Sequence, residues 1–408
     1  MATSGTHQYN ATAEDIMKEA LELIESYEAG EALSSDVEQS VLRTFEMMIK
    51  TLQVSGVGMW KNEEMALFLG EDEYKYDIGP TGDHATLGWV KTEVATAASS
   101  GASSVVIDAT TDMTDNYDRN GISAAATPVI STDLTLGGAL SDGTVATLPS
   151  QRKLLIYSDG DDSGVTFTIT GTNVFGTAVT ESLVGPNATT VYSAEEYYTV
   201  TQITPSANGA GNVEVGCVGD FVGFELDNGE MQWTNIGAAL STTLTLITTI
   251  TDDIAVDNHV YVYTAKTPRP IEIIEARIKR SDGTETPLQI ISRDKYMRIP
   301  NKDTTGIANS IYYDPQLING EMSVWPACAY VNDYLKFTVR IPIEDITSLS
   351  GDVNFGQEWF LPLAWNLASL IAPKFGEVFS QMNELRAIAM LEAVSDFDSE
   401  NTSSFIRV

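Results

Sequence analysis

The sequence predicts a multidomain α+β protein: a helical body made by both chain ends, with a long antiparallel β region inserted between them, part of it an immunoglobulin-like sandwich. Three observations predict it. Apolar residues recur with a 3.6-residue period near both ends. From about Tyr76 to Ala265, Gly, Ser, Thr and Asp become dense, basic residues become rare, and short alternating runs take over. Neither helical end carries enough apolar surface for a core of its own, so each needs the other. The expected divisions are a helical hairpin at 1–80, the β region at 81–265 with its sandwich at 150–218, an α/β connector segment at 266–345, and helices at 346–408 that pack with 1–80.

The elements follow in chain order. Thr12 is placed to cap a helix reaching about Tyr27, with Ile16, Ala20, Leu23, Ile24 and Tyr27 on one face. Ser35 and Glu38 have capping-box spacing. The helix after them carries Val37, Val41, Phe45, Met48, Ile49 and Leu52 on one face and stops at Val54-Ser-Gly56. Val165 to Thr170 alternates with a strict period of two, the signature of a half-buried strand. Tyr197 to Ile203 and Val213 to Cys217 extend the sandwich, and the flanks at 81–149 and 219–265 read as more strand. Ile271 to Ile278 and Leu335 to Ile341 are strands of the connector segment. Near the C-terminus, Trp359, Leu363, Trp365, Leu367 and Leu370 make a helix apolar on most sides, ended by Pro373. A last helix is expected from Glu377 to Ala393, with Val378, Met382, Leu385 and Ala389 on a face. Asn366, in the apolar helix, is expected to make a helix–helix hydrogen bond.

Composition narrows the function. The chain has 408 residues, 23 basic and 57 acidic, for a net charge of −34. Such a chain repels phosphate, which argues against general nucleic-acid binding. Cys217 and Cys328, far apart in sequence, cannot make a disulfide framework or a four-thiolate metal site. Met1 to His7 has neither a basic nor an apolar region, so no Sec-type signal is expected. The longest uncharged run, Met231 to Thr251, holds seven threonines and reads as strand, not as a membrane span.

Signals for catalysis are weak. Asp159, Asp161 and Ser163, followed by Gly164, match the first half of a calcium loop, but position twelve is Thr170 where a Glu is needed. A turn is the plainer reading. Asp112, Asp115 and Asp118 carry the same idea with less support. His7, His84 and His259 sit in no triad or zinc motif. No P-loop or dinucleotide fingerprint is present. Catalytic residues, cofactor and metal are all expected to be absent. The least bland feature is basic: Lys266, Arg269, Arg277, Lys279, Arg280, Arg293, Lys295, Arg298 and Lys302 fall within 37 positions. It reads as a solvated mixed-charge face, as a contact with an acidic neighbour such as another copy of the chain, or, with least support, as a DNA contact.

Several stretches carry a resemblance. They are Met1 to Thr6, Met47 to Trp60, Tyr312 to Gln316, Val324 to Pro326, Gln357 to Trp359, Trp365 to Ala368 and Ile371 to Gly376. Together they resemble the head-to-tail adaptors (connectors that stabilise packaged DNA) of short-tailed phages, and are similar to tail tubular protein A. The resemblance covers about 1–80 and 266–408 and leaves out 150–218. It implies a virion protein of the neck between head and tail, assembled in the cytoplasm of a bacterial host. It implies a homo-oligomeric ring, usually of twelve copies, under the portal protein. That ring would extend the DNA channel, help retain DNA that passes without specific binding, and receive the next tail protein; no membrane is involved. An acidic channel wall suits such passage. The tail tip Phe405, Ile406 and Arg407 is expected to dock on the portal. Two other readings stay open. One is a tail-tube, nozzle or fibre-anchoring collar protein. The other is a glycan-binding virion module using Tyr192, Tyr197 and Tyr198.

Overall fold

The structure, a computed structural model, describes residues 10–27, 33–54, 61–108, 113, 116–240, 242–346, 349, 353 and 355–397. The chain is mixed α+β, mostly strand, with its long helices at the two ends. It divides into two compact units. One holds Met1–Asn62 and Arg340–Val408, the other Glu63–Val339.

The helical unit contains α1 (Ala13–Leu23), α2 (Ser35–Val54), a 3-10 turn Gln357–Trp359 and, after a short helix α3 (Arg293–Met297) in the other unit, α4 (Phe360–Phe375) and α5 (Gln381–Phe397). Its core is shared by both ends. Ile16, Met17, Ala20 and Leu21 of α1 and Phe45 and Ile49 of α2 are buried with Leu363, Leu367, Ala368 and Ile371 of α4. Each large apolar side chain so buried contributes about 1.5–3 kcal/mol, and no subset from one end alone closes the cluster.

Helix boundaries differ from the sequence reading for local reasons. The Thr12 cap is present: its hydroxyl accepts the Asp15 N–H at 3.2 Å while the Asp15 carboxylate accepts the Thr12 N–H at 3.0 Å. But α1 ends at Leu23, because the chain turns into the left-handed region at Glu25, φ 57°. In α2 the first intrahelical bond runs from Glu38 N–H to the Ser34 carbonyl, so Ser34, not Ser35, sits at the N-cap. Pro373 lies inside α4, in its last turn. The stop is Gly376, whose φ of 76° suits glycine and whose N–H reaches the Ala372 carbonyl. A Ser380 cap, with its hydroxyl accepting the Asn383 N–H at 3.3 Å, starts α5 four residues later than expected.

The second unit is built of sheets. Residues 61–68 and 75–78, expected within a helical hairpin, are strands instead. Lys61–Phe68 lies in a five-stranded sheet ordered Glu285–Pro287, Glu272–Lys279, Tyr334–Ile341, Lys61–Phe68, Ala85–Thr86. Lys75–Ile78 pairs with Gly320–Trp325 in a four-stranded sheet. The segment expected as an α/β connector is therefore mostly strand, with α3 its one helix among the described residues. The two β flanks come together as a closed barrel of Phe221–Glu225, Met231–Leu240, Thr243–Leu246, Ser104–Ile107, Val90–Thr96 and His259–Tyr263.

The region expected to be a sandwich forms one hydrogen-bonded sheet of six strands: Asp118–Ala126, Val213–Cys217, Ala146–Ser158, Thr190–Pro205, Thr166–Thr172 and Ala178–Val184. It begins before residue 150, since Asp118–Ala126 supplies an edge. Irregularities along Thr190–Pro205 accompany its change of partner, from Ala146–Ser158 to Thr166–Thr172. Leu154, Ile156, Phe167, Ile169, Val213 and Val215 fill its core.

Candidate functional site

The helical unit holds the surface that most needs explanation. α5 packs on α4 along a narrow stripe: Ala387 is buried, Leu391 and Val394 are half-buried, and the Asn366 amide of α4 donates to the Ala387 carbonyl at 3.0 Å. The face expected on this helix points the other way: Val378, in the loop before α5, is 91% exposed, Met382 63% and Leu385 57%, and Ala389 is exposed too. Ile388, beside them, is 51% exposed. A helix apolar on both sides is normally covered on both sides. Exposed acids Glu384 and Glu392 sit on the outer side of the same helix.

Across the unit, α2 and α4 bound a groove of about 420 Å³ lined by Thr44, Met47, Met48, Leu52, Ser369 and Leu370. Met47 and Leu370 are at least half exposed on its rim. Arg43, Met47 and Lys50 lie at i, i+4 and i+7, so they form one stripe along α2. Lys50 also reaches Asp345 at 2.7 Å and the Ile343 carbonyl at 2.9 Å. Lys374 of α4 donates to the Thr44 hydroxyl at 2.6 Å. A second groove, between α1 and α4, is mainly acidic, with Asp15, Glu19 and Glu22 against Lys18, beside Phe360 and Leu361.

The basic residues singled out in sequence are scattered over three places, with Lys302 donating to the Ile299 carbonyl at 3.3 Å just after α3. Arg277 lies 3.4 Å from Glu285, and Lys279 3.1 Å from the same carboxylate. Arg280 approaches the nearly buried Asp333 at 3.9 Å. On α3, Arg298 pairs with Asp294 at 2.9 Å, Lys295 donates to the Gln289 side chain at 3.3 Å, and Arg293 is exposed. Lys266 donates to the Gly82 carbonyl, and Arg269 to the Gln316 carbonyl at 2.7 Å. Much of this charge is matched inside the chain, the geometry of a mixed-charge face, where each exposed pair adds little.

The acidic turn is a turn. Asp159 accepts the Asn212 N–H at 2.5 Å, and Asp161 the Ser163 hydroxyl at 2.6 Å. The buried acid there is Asp162, which takes the Ser158 hydroxyl at 2.5 Å and the Ala210 N–H at 2.6 Å. Among the described residues, no three His, Cys, Asp or Glu are grouped to hold a metal ion. Asp112, Asp115, Phe405, Ile406 and Arg407 lie outside the described residues. Of the glycan-reading tyrosines, Tyr197 is core and Tyr192 and Tyr198 are half-buried, so they make no exposed platform.

Two buried clusters lie in the β unit, and motif spacing points to neither. Arg152 is fully buried; it donates to the Ser150 hydroxyl at 2.7 Å and to the Val218 and Thr264 carbonyls, each at 3.1 Å, and faces Asp220 at 3.4 Å. Asp220 also accepts from Asn116 at 2.9 Å and Thr264 at 2.9 Å. This network joins the six-stranded sheet to the barrel. The signal was present: Arg152 shares the inward parity of Leu154 and Ile156. Beside it, His84 stacks on Trp233 with centroids 4.1 Å apart and lies 2.6 Å from the Tyr263 hydroxyl. Burial, helped by Lys266, pushes His84 down to about 3, so the ring is neutral. A cleft of about 430 Å³ opens here beside Trp89, Tyr263 and Lys266. The Asp220 carboxylate on its wall is already taken by three partners. Among the described residues no helix is long and apolar enough to cross a membrane.

No family model and no curated protein matches this chain. A solved structure titled "Structure of infectious bursal disease virus Gt strain" aligns at 9% identity over 77% of this chain and 74% of that one, with a TM-score of 0.08. A likeness that low carries no argument about fold or function.

Proposed function

We propose that this chain is a structural assembly protein, and specifically a head-to-tail adaptor of a virion neck: a ring component beneath a portal that extends the DNA channel and joins the tail. The observation that carries the assembly reading is the outward apolar face of α5 on a helical unit made by both chain ends. An exposed apolar face of this kind marks an interaction surface, which a subunit of a larger body needs. The resemblance of the two ends to short-tailed phage adaptors supplies the neck. The charge of −34 supports a channel wall that DNA slides past. On this reading the six-stranded sheet, with the size and alternation of an immunoglobulin-like sandwich, is a decoration on the ring. The portal and a downstream tail protein are the neighbours.

Negative-stain microscopy of the purified chain, alone and mixed with portal rings, tests this. Rings or portal-bound collars are expected. Failure to associate with the portal would sink the adaptor reading.

A further inference from the structure

We propose that α5 of one copy docks in the α2/α4 groove of a second copy, so that the chain joins itself head to tail. The inference rests on the assembly reading above and names the partner of that same surface.

The two surfaces are complementary in three ways. The first is pattern. On α5 an acid, an apolar pair and an acid follow one another as Glu384, Leu385 with Ile388, and Glu392. On α2 a base, an apolar residue and a base follow as Arg43, Met47 and Lys50. The acids are eight residues apart, about 12 Å along a helix, and the bases seven apart, about 10.5 Å. Both acids can therefore meet both bases while Leu385 and Ile388 flank Met47. Lys50 has its Asp345 contact at the surface, and its third N–H is open to a second carboxylate.

The second is selectivity. The α1/α4 groove is of similar size but lined by Asp15, Glu19 and Glu22 against one base, Lys18, itself paired with Glu14 at 2.6 Å, so it would repel the Glu384 and Glu392 of an incoming α5. The base-flanked groove accepts them.

The third is area. Met382, Leu385 and Ile388 of α5, with Val378 in the loop just before it, present on the order of 400–500 Å² of apolar surface, close to the apolar share of one partner's ~800 Å² in a standard interface. α5 and the groove are different surfaces, so the contact is heterologous. A joined pair keeps one free α5 and one free groove, so it can extend at both ends, and repetition yields a ring if the rotation closes.

Cysteine cross-linking of the full chain tests the pairing. The native Cys217 and Cys328 are buried, with thiols pushed up to about 11 and about 12, and stay silent. Under mild oxidation, a chain carrying both Met47→Cys and Leu385→Cys should give a ladder of dimers, trimers and higher species. Each single variant alone should give none, and a mixture of the two singles should stop at dimers. Glu384→Arg with Glu392→Arg should cut association in sedimentation velocity at least tenfold. A partner carrying Arg43→Glu and Lys50→Glu should restore it. Circular dichroism melts confirm that each variant is folded.

Dimers from Leu385→Cys alone would mean that α5 meets α5, which overturns the proposal. So would a double variant that gives no ladder, or a charge reversal that leaves association unchanged. If portal rings still bind the chain in those cases, the docking is wrong and the adaptor reading survives. A ladder without portal binding is the opposite result.

Discussion

Arg152 occupies an inward position of an alternating strand, where an aliphatic side chain is the rule, and its charge is tolerated because Asp220 is buried beside it. Removing one partner of such a pair leaves the other charge desolvated. Arg152→Met is expected to lower stability by about 3 kcal/mol. Adding Asp220→Asn, which keeps an acceptor for Asn116 and Thr264, should recover most of that, and urea midpoints read both. His84 makes a pH prediction. Its folded pKa, about 3, lies below the unfolded value of 6.5. Above pH 6.5 the ring is neutral in both states and contributes no slope. As pH falls below 6.5, the unfolded chain binds a proton that the folded chain refuses. Stability is then lost at up to about 1.4 kcal/mol per pH unit, toward the folded pKa. Unfolding of wild type and His84→Phe at pH 7 and pH 5 should show a steeper loss in wild type. Equal losses would show that the ring titrates freely. Neither group was chosen in the sequence reading of function. An isolated Arg or His gains meaning only from what lies across the sheet.

Helices were largely legible because their cause is local. The faces read on α1 and α2 are those buried against α4. The misread ends turned on a left-handed Glu25, a Ser380 cap and Gly376, each a choice among adjacent candidates. For α5 the apolar period identified a face but not its side of the fold: Ala387, Leu391 and Val394 won the contact with α4. Asn366 helped, since its amide must find an acceptor and the Ala387 carbonyl is within reach. The shared core makes a prediction at this scale. A fragment of residues 1–62 should be collapsed but non-cooperative, with dye-accessible apolar surface, and co-expression with 340–408 should give a cooperative melt. A sharp transition for 1–62 alone would show that the ends do not depend on one another.

At the scale of the whole chain, the β unit's interdependence changes what can be removed. Excising 150–218 would cut Ala146–Ser158 in mid-strand and orphan Asp118–Ala126, so aggregation is expected. Asp118 and Cys217 are ladder partners, which places the ends of segment 118–217 about 5 Å apart. Replacing 118–217 by a short Gly/Ser linker, with Asp220→Asn to relieve the lost Arg152, should leave a folded chain that still binds portal rings. Co-sedimentation decides it: a folded deletion that no longer binds would make the six-stranded sheet part of the joint.

Composition and the periods of 3.6 and 2 set the class and the order of structure: helices at the ends, strands between, an acidic chain with two cysteines. Those signals are local, fixed within a few turns of chain. Long-range packing chose which strands share a sheet, closed the flanks into a barrel, brought Arg152 to Asp220, and left the outer face of α5 exposed. Pairing partners lie tens to hundreds of residues apart, and an alternating strand fits many neighbours equally well until packing selects one. Exposure is likewise a property of the assembled core. Met382 and Leu385 look like core residues in any window of sequence, and only the placement of α5 on α4 turns them outward.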